Sequence, residues 1–142
     1  MLRNISTKAL RRTAVVTHLL IGLNALAAGY SFIVSPDGAD IGISTAYLKD
    51  APFDDFLVPG IVLFVVNGLL NMVAAAAVIF RWKWYPELVL MQGVLLAGWI
   101  LVQMMMVRDF NLLHLACLIA ALILTVTGRL LRQRERAAGP GS

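Results

Sequence analysis

The chain has one cysteine, two histidines and eight acidic residues in 142 positions. None of the acids falls inside its long apolar runs. Each scarcity excludes something. Cys117 stands alone, so there is no intramolecular disulfide and no CxxC pair of the kind a membrane thiol oxidoreductase carries. Proton-coupled transporters of this size use a carboxylate within the bilayer, and no apolar run offers one. His18 reads as lying near one end of its run and His114 near the opposite face, too far apart to be axial ligands of one haem. No locus gathers enough His, Cys or carboxylate for a metal. Nucleophile elbow, phosphate loop and dinucleotide fingerprint are missing too. The expectation is a protein without catalytic chemistry, cofactor or metal.

Apolar sequence fills the gap. Hydrophobic residues make up 60% of the chain and charged ones only 14%, against about a quarter in a typical soluble domain. Four stretches nearly free of charge run over Thr13–Val34, Leu57–Phe80, Leu88–Val107 and Leu112–Leu131. Each has the length a helix needs to cross ~30 Å of hydrocarbon. Helices of a soluble bundle would show polar outer faces, and these show none. The sequence predicts an all-α integral-membrane four-helix bundle over residues 13–131, with a structured extracytoplasmic loop over 35–56. A basic lead (1–12) and a basic tail (132–142) flank it, and Ala137–Ser142 reads as disordered.

The basic residues are unevenly placed. Ten of the twelve lie in the lead, in the Arg81–Lys83 link, and at Arg129 and in the tail. The first loop has Lys49 against Asp37, Asp40, Asp50, Asp54 and Asp55. The positive-inside rule therefore puts both termini in the cytoplasm. The bilayer is the partner this charge pattern fits, and nucleic acid is not. The lead, the apolar run and Ala25-Leu26-Ala27 also fit a cleavable signal peptide, but the run is long enough to span and an uncleaved first helix is simpler.

The chain is organised around Pro52–Ala77, an acidic, proline-bracketed entry running into an apolar helix with two amides, Asn67 and Asn71. Before it, Ser35-Pro36-Asp37-Gly38 has turn composition. Ser44 is placed to cap a short helix from Thr45 to Lys49. Pro52 suits the first turn of a second short helix, with Asp54 and Asp55 near its positive end. Tyr47, Leu48, Phe53 and Phe56 are expected at the membrane interface. After span two, Trp82, Trp84 and Tyr85 read as headgroup-level anchors.

Candidate site residues follow from this order. Gly22 and Gly29 on span one, with Gly60 and Gly68 on span two, form small-residue faces that let helices approach closely. On span two, Gly60, Phe64, Asn67, Gly68, Asn71 and Ala75 share a face. Span three carries Gln92, Leu96, Trp99 and Gln103 on one face, with Gly93 and Gly98 off it. Span four aligns His114, Cys117, Ala121, Thr125 and Gly128. His18 is expected to snorkel to the interface and Asn24 to bond a neighbouring helix. Asn67 and Asn71 read either as glue between helices or, with Gln103 and His114, as the lining of an outward-facing cavity. Asp54, Asp55, Arg108 and Asp109 would form a vestibule above it. Two functions follow. One is an accessory or scaffold subunit that packs with itself or with a membrane-protein partner through its glycine faces. The other is a protein or transporter for a lipid or small apolar molecule, with its cavity between spans two, three and four.

The stretch SPDGADIGISTAYLKDAPFDDFLVPGIVLFVVNGLLNMVAA resembles a group of small bacterial four-span membrane proteins with a P-x-G turn followed by PF-x-D-F-x-x-PG. The matching positions are Pro36, Gly38, Leu48, Pro52, Phe53, Asp55, Phe56, Pro59, Gly60, Leu63 and Gly68. The resemblance implies a bacterial inner-membrane protein and carries no activity with it. A looser likeness to DoxX-type four-helix membrane proteins rests on size and span count alone.

Overall fold

The computed structural model describes residues 4–107 and 112–139. Four long helices dominate it: α1 (Thr7–Val34), α2 (Leu57–Ile79), α3 (Tyr85–Val107) and α4 (Leu112–Ala138). All four are long and apolar enough to cross a membrane, and no strand occurs among the described residues. Helix is the form such apolar runs would need in hydrocarbon, which offers backbone N–H and C=O groups no partner. The helices pack in a closed ring, α1 on α2, α2 on α3, α3 on α4 and α4 back on α1.

Glycines set the closest approaches. A Cβ on Gly29 would lie 2.7 Å from Phe64 N and 2.8 Å from its Cα. One on Gly60 would lie 2.5 Å from Phe32 Cβ, and one on Gly68 2.7 Å from Leu26. Gly22, one helical turn past His18, faces Asn71, Met72 and Gly68. All four glycines therefore serve the same α1–α2 contact, Gly29 against the Phe64 backbone and the others against the Met72, Phe32 and Leu26 side chains. The α3–α4 contact is built the same way, Gly93 against Thr125 and Gly128 against Leu90. Gly93 is thus part of the packed face of α3, not off it, whereas nothing lies within 4 Å of a Cβ on Gly98.

Several boundaries differ from the sequence expectation. α1 starts at Thr7 because Ser6 accepts a hydrogen bond from Ala9 N at 3.0 Å, which carries the helix through Lys8, Arg11 and Arg12. The second half of the basic lead, residues 7–12, is helical as a result. α4, expected to continue past Leu131 through Arg132–Arg136, does so, and it also takes in Ala137 and Ala138, which were expected to be disordered. α2 ends in a Schellman turn: Trp82 N–H bonds Ala77 O at 2.9 Å and Arg81 N–H bonds Val78 O at 3.3 Å. Arg81 sits there at φ 52°, in the left-handed region that glycine normally occupies. Tyr85 is buried rather than placed as a surface anchor, and its hydroxyl donates to Glu135 at 2.6 Å. Arg134 donates to Thr7 Oγ1 at 3.2 Å, so the starts of α1 and α3 and the end of α4 are tied together at one end of the bundle.

The loop between α1 and α2 closes the other end. Asp37 accepts from Ser35 Oγ at 2.7 Å and from Ala39 N at 3.0 Å. Ala39–Ile41 and Thr45–Leu48 form short 3-10 turns, the second capped by Ser44. The second short helix expected at Pro52 is not formed. Asp55 instead accepts from Leu57 N at 3.0 Å and starts α2 directly. Leu48 and Phe56 are buried, and Phe56 stacks on Phe32 at 4.8 Å between ring centroids. Phe56 is therefore a plug on the bundle, not an interfacial anchor, while Tyr47 is exposed.

Candidate functional site

Two apolar clusters divide the interior. One joins Leu10, Ala14, Ala77, Val78, Val89, Leu124 and Leu131 near the terminal end. The other joins Leu96, Ile100 and Ala121, with Ile21 packed on it. Between them, on three of the four helices, stand polar residues. His18 lies between Ala14 and Ile21 on α1, and Gln92 between Val89 and Leu96 on α3. Asn71 and Asn67 come in from α2, just beyond Ala74 and Ala75. These four side chains are each at most 1% exposed. By helix rise they sit roughly 10–18 Å from the terminal ends of their helices, well inside the apolar part.

Glycine explains why the layer forms. Gly22 brings α1 so close to α2 that a Cβ there would be 3.3 Å from Asn71 Cβ. One turn away, His18 Nδ1 is then 2.6 Å from Asn71 Oδ1. The rest of the Asn71 amide fixes the protons. Its Nδ2 donates to Asn67 O at 2.7 Å, so Oδ1 is the atom facing the ring and accepts from Nδ1–H. In the neutral imidazole, Nε2 is then left as an acceptor. α2 also changes pitch here. Leu63–Leu69 is a π turn, in which the Leu70 N–H reaches Val65 O. Widened turns of this kind inside helices recur at functional sites.

The layer is only partly satisfied. His18 Nε2, both polar atoms of the Asn67 side chain and both of Gln92 are buried and make no hydrogen bond within the protein. Each such group costs about 1–3 kcal/mol relative to a paired one.

The residues expected to line a cavity are distributed differently. Asn67 and Asn71 are in the layer. Gln103 lies on α3, eleven residues beyond Gln92, roughly 16 Å further toward the loop end. His114 is buried in the first turn of α4, also at the loop end. Asp54 is exposed and Asp55 is used in starting α2. Arg108 and Asp109 lie outside the described residues. His18, expected to snorkel, is buried and bonded to Asn71 instead. Asn24, expected to bond across to a neighbouring helix, is exposed on the outward face of α1.

His18 and Gln92 are the members the sequence reading left out. One signal was available: a polar or ionisable residue inside an apolar span is a functional candidate by default. Among the described residues, no group of three or more His, Cys, Asp or Glu is arranged to hold a metal ion. No family model matches the chain, and neither a curated protein nor a solved structure does.

Proposed function

We propose that this chain is a binding protein of the bacterial inner membrane that holds a small molecule at the polar layer of its bundle. The observation that carries the reading is the set of five buried, unpartnered polar atoms on His18, Asn67 and Gln92. Polar groups inside a membrane domain face pathways and ligands or pair with one another, and these do not pair. Their chemistry defines the guest. Two amides present both N–H donors and C=O acceptors, and His18 Nε2 adds an acceptor. A head bearing a hydroxyl or carbonyl, on an apolar body that fits between helices, matches them. The distribution of Lys and Arg supports an orientation with both termini cytoplasmic and the 35–56 loop outside.

Native mass spectrometry of protein gently extracted from its own membrane tests the reading. A small molecule retained by the natural chain and released by Asn67→Leu or Gln92→Leu is the expected result. Retention unaffected by both substitutions would refute it.

A second reading, an accessory subunit that packs with a second copy or another membrane protein, is favoured by Asn24. Its amide faces outward from the middle of a spanning helix, where a hydrogen bond to another helix contributes about 1 kcal/mol. Asn24→Leu is expected to shift an oligomer toward monomer in mild detergent. An unchanged assembly state would remove this reading.

A further inference from the structure

The terminal end of the bundle holds a second, separate feature. A cavity of about 1040 Å³ opens between the start of α1, the α2–α3 link and the last turns of α4. Its walls carry Arg11, Arg81, Lys83, Arg132, Arg134 and Arg136. Among the described residues two carboxylates share it, Glu87 and Glu135, so six cations against two anions leave an excess of four positive charges. Both acids are engaged, and the excess of basic groups is what remains around them. Glu135 accepts the Tyr85 hydroxyl at 2.6 Å. Glu87 Oε1 is 3.7 Å from Arg132 Nε, and that Nε is buried with no hydrogen bond.

Arg81 adds an independent indication. It holds the left-handed position of the α2 Schellman turn at φ 52°, where glycine is the unstrained residue. A charged side chain is kept at a place the backbone would give to glycine. Beside it, Trp82 and Trp84 are exposed on the link between two spanning helices. Lys83 Nζ lies 5.3 Å from the Trp84 ring centroid. Exposed tryptophans at the ends of spans mark headgroup depth.

We propose that this pocket holds the phosphate of an anionic phospholipid headgroup. Guanidinium groups match phosphate oxygens with paired N–H donors. Basic pockets between spanning helices are suited to anionic headgroups. The position at the end of the spans lets the acyl chains of the same lipid lie along the apolar helix faces. A soluble phosphate compound would gain nothing from that position.

The test uses the full chain in mild detergent micelles with equal amounts of phosphatidylglycerol and phosphatidylcholine, read by native mass spectrometry. The natural protein is expected to retain phosphatidylglycerol preferentially. Arg81→Gly and Arg132→Gln should each weaken that preference about fivefold. Because glycine suits the turn, Arg81→Gly should leave the unfolding midpoint unchanged or raise it, which separates lost binding from lost folding. Arg12→Gln and Arg129→Gln remove the same charge at the same end of the bundle but outside the pocket walls, and should have a smaller effect. The proposal is overturned if both lipids are retained equally, or if the controls act as strongly as the pocket variants. It is also overturned if millimolar inorganic phosphate displaces phosphatidylglycerol, since the site would then be one for a soluble anion.

Discussion

Asn67 and Asn71 are four residues apart on one buried face, yet replacing each with leucine should have opposite effects on stability. Leucine is close to asparagine in shape, so packing changes little and hydrogen bonding decides the outcome. Asn71→Leu removes the acceptor at 2.6 Å from His18 Nδ1 and the donor at 2.7 Å from Asn67 O. The His18 ring is then left with no bond on either nitrogen. Stranding a buried donor costs about 1–3 kcal/mol, so the bundle should lose about that much. Asn67→Leu removes two side-chain atoms that have no partner and replaces them with apolar surface. It should stabilise the ligand-free bundle by roughly 1–2 kcal/mol by the same reasoning. The assay is unfolding in mixed micelles by added sodium dodecyl sulfate, followed by helix content. A His18→Leu/Asn71→Leu double variant should recover most of the Asn71→Leu loss, because neither partner is then left alone. If Asn67→Leu destabilises the protein as much as Asn71→Leu, Asn67 has a partner in the folded bundle. The binding proposal would then lose the observation that carries it.

Other consequences can be checked alongside. Gly29→Ala should cost at least ~2 kcal/mol, because its Cβ would meet the Phe64 backbone at 2.7 Å and helix backbones cannot yield as side chains do. Gly98→Ala, where that Cβ meets nothing within 4 Å, should be neutral or stabilising by up to ~1 kcal/mol; the same unfolding titration compares the two. Phe56→Ala should cost about 3–5 kcal/mol through loss of a buried ring stacked on Phe32, and limited proteolysis should then cut the 35–56 loop faster. The Ala39 N–H and then the Ser35 hydroxyl hold the Asp37 carboxyl below its ordinary 3.8. A depressed folded pKa means that the turn's support is present above that ordinary range and is lost as pH falls through the lower folded value. Cleavage of the loop by an acid-active protease should therefore rise on acidification, and Asp37→Asn should flatten that dependence.

The sequence by itself determined the elements. Four apolar runs, each long enough for a bilayer, leave helix as the one local structure that satisfies its own backbone. Turn chemistry at Ser35-Pro36-Asp37-Gly38 and the Ser44 cap were legible because each depends on neighbours a few residues away. The glycines of α1 and α2 could be seen as faces for the same reason, since helical spacing alone puts them in line. Their pairing into one crossing depends on how the two helices rotate against each other. Tertiary structure decided which polar groups meet. His18 and Asn71 are 53 positions apart, and their bond exists only because Gly22 lets two helix backbones close together. Arg81, Arg132 and Arg11 read as scattered charges along the chain, and become one basic pocket only when α1, the α2–α3 link and α4 converge at the same end. Local rules set periodicity and caps. The azimuth and depth at which one helix meets the next are set by packing across the bundle, so the polar layer became visible only in the folded chain.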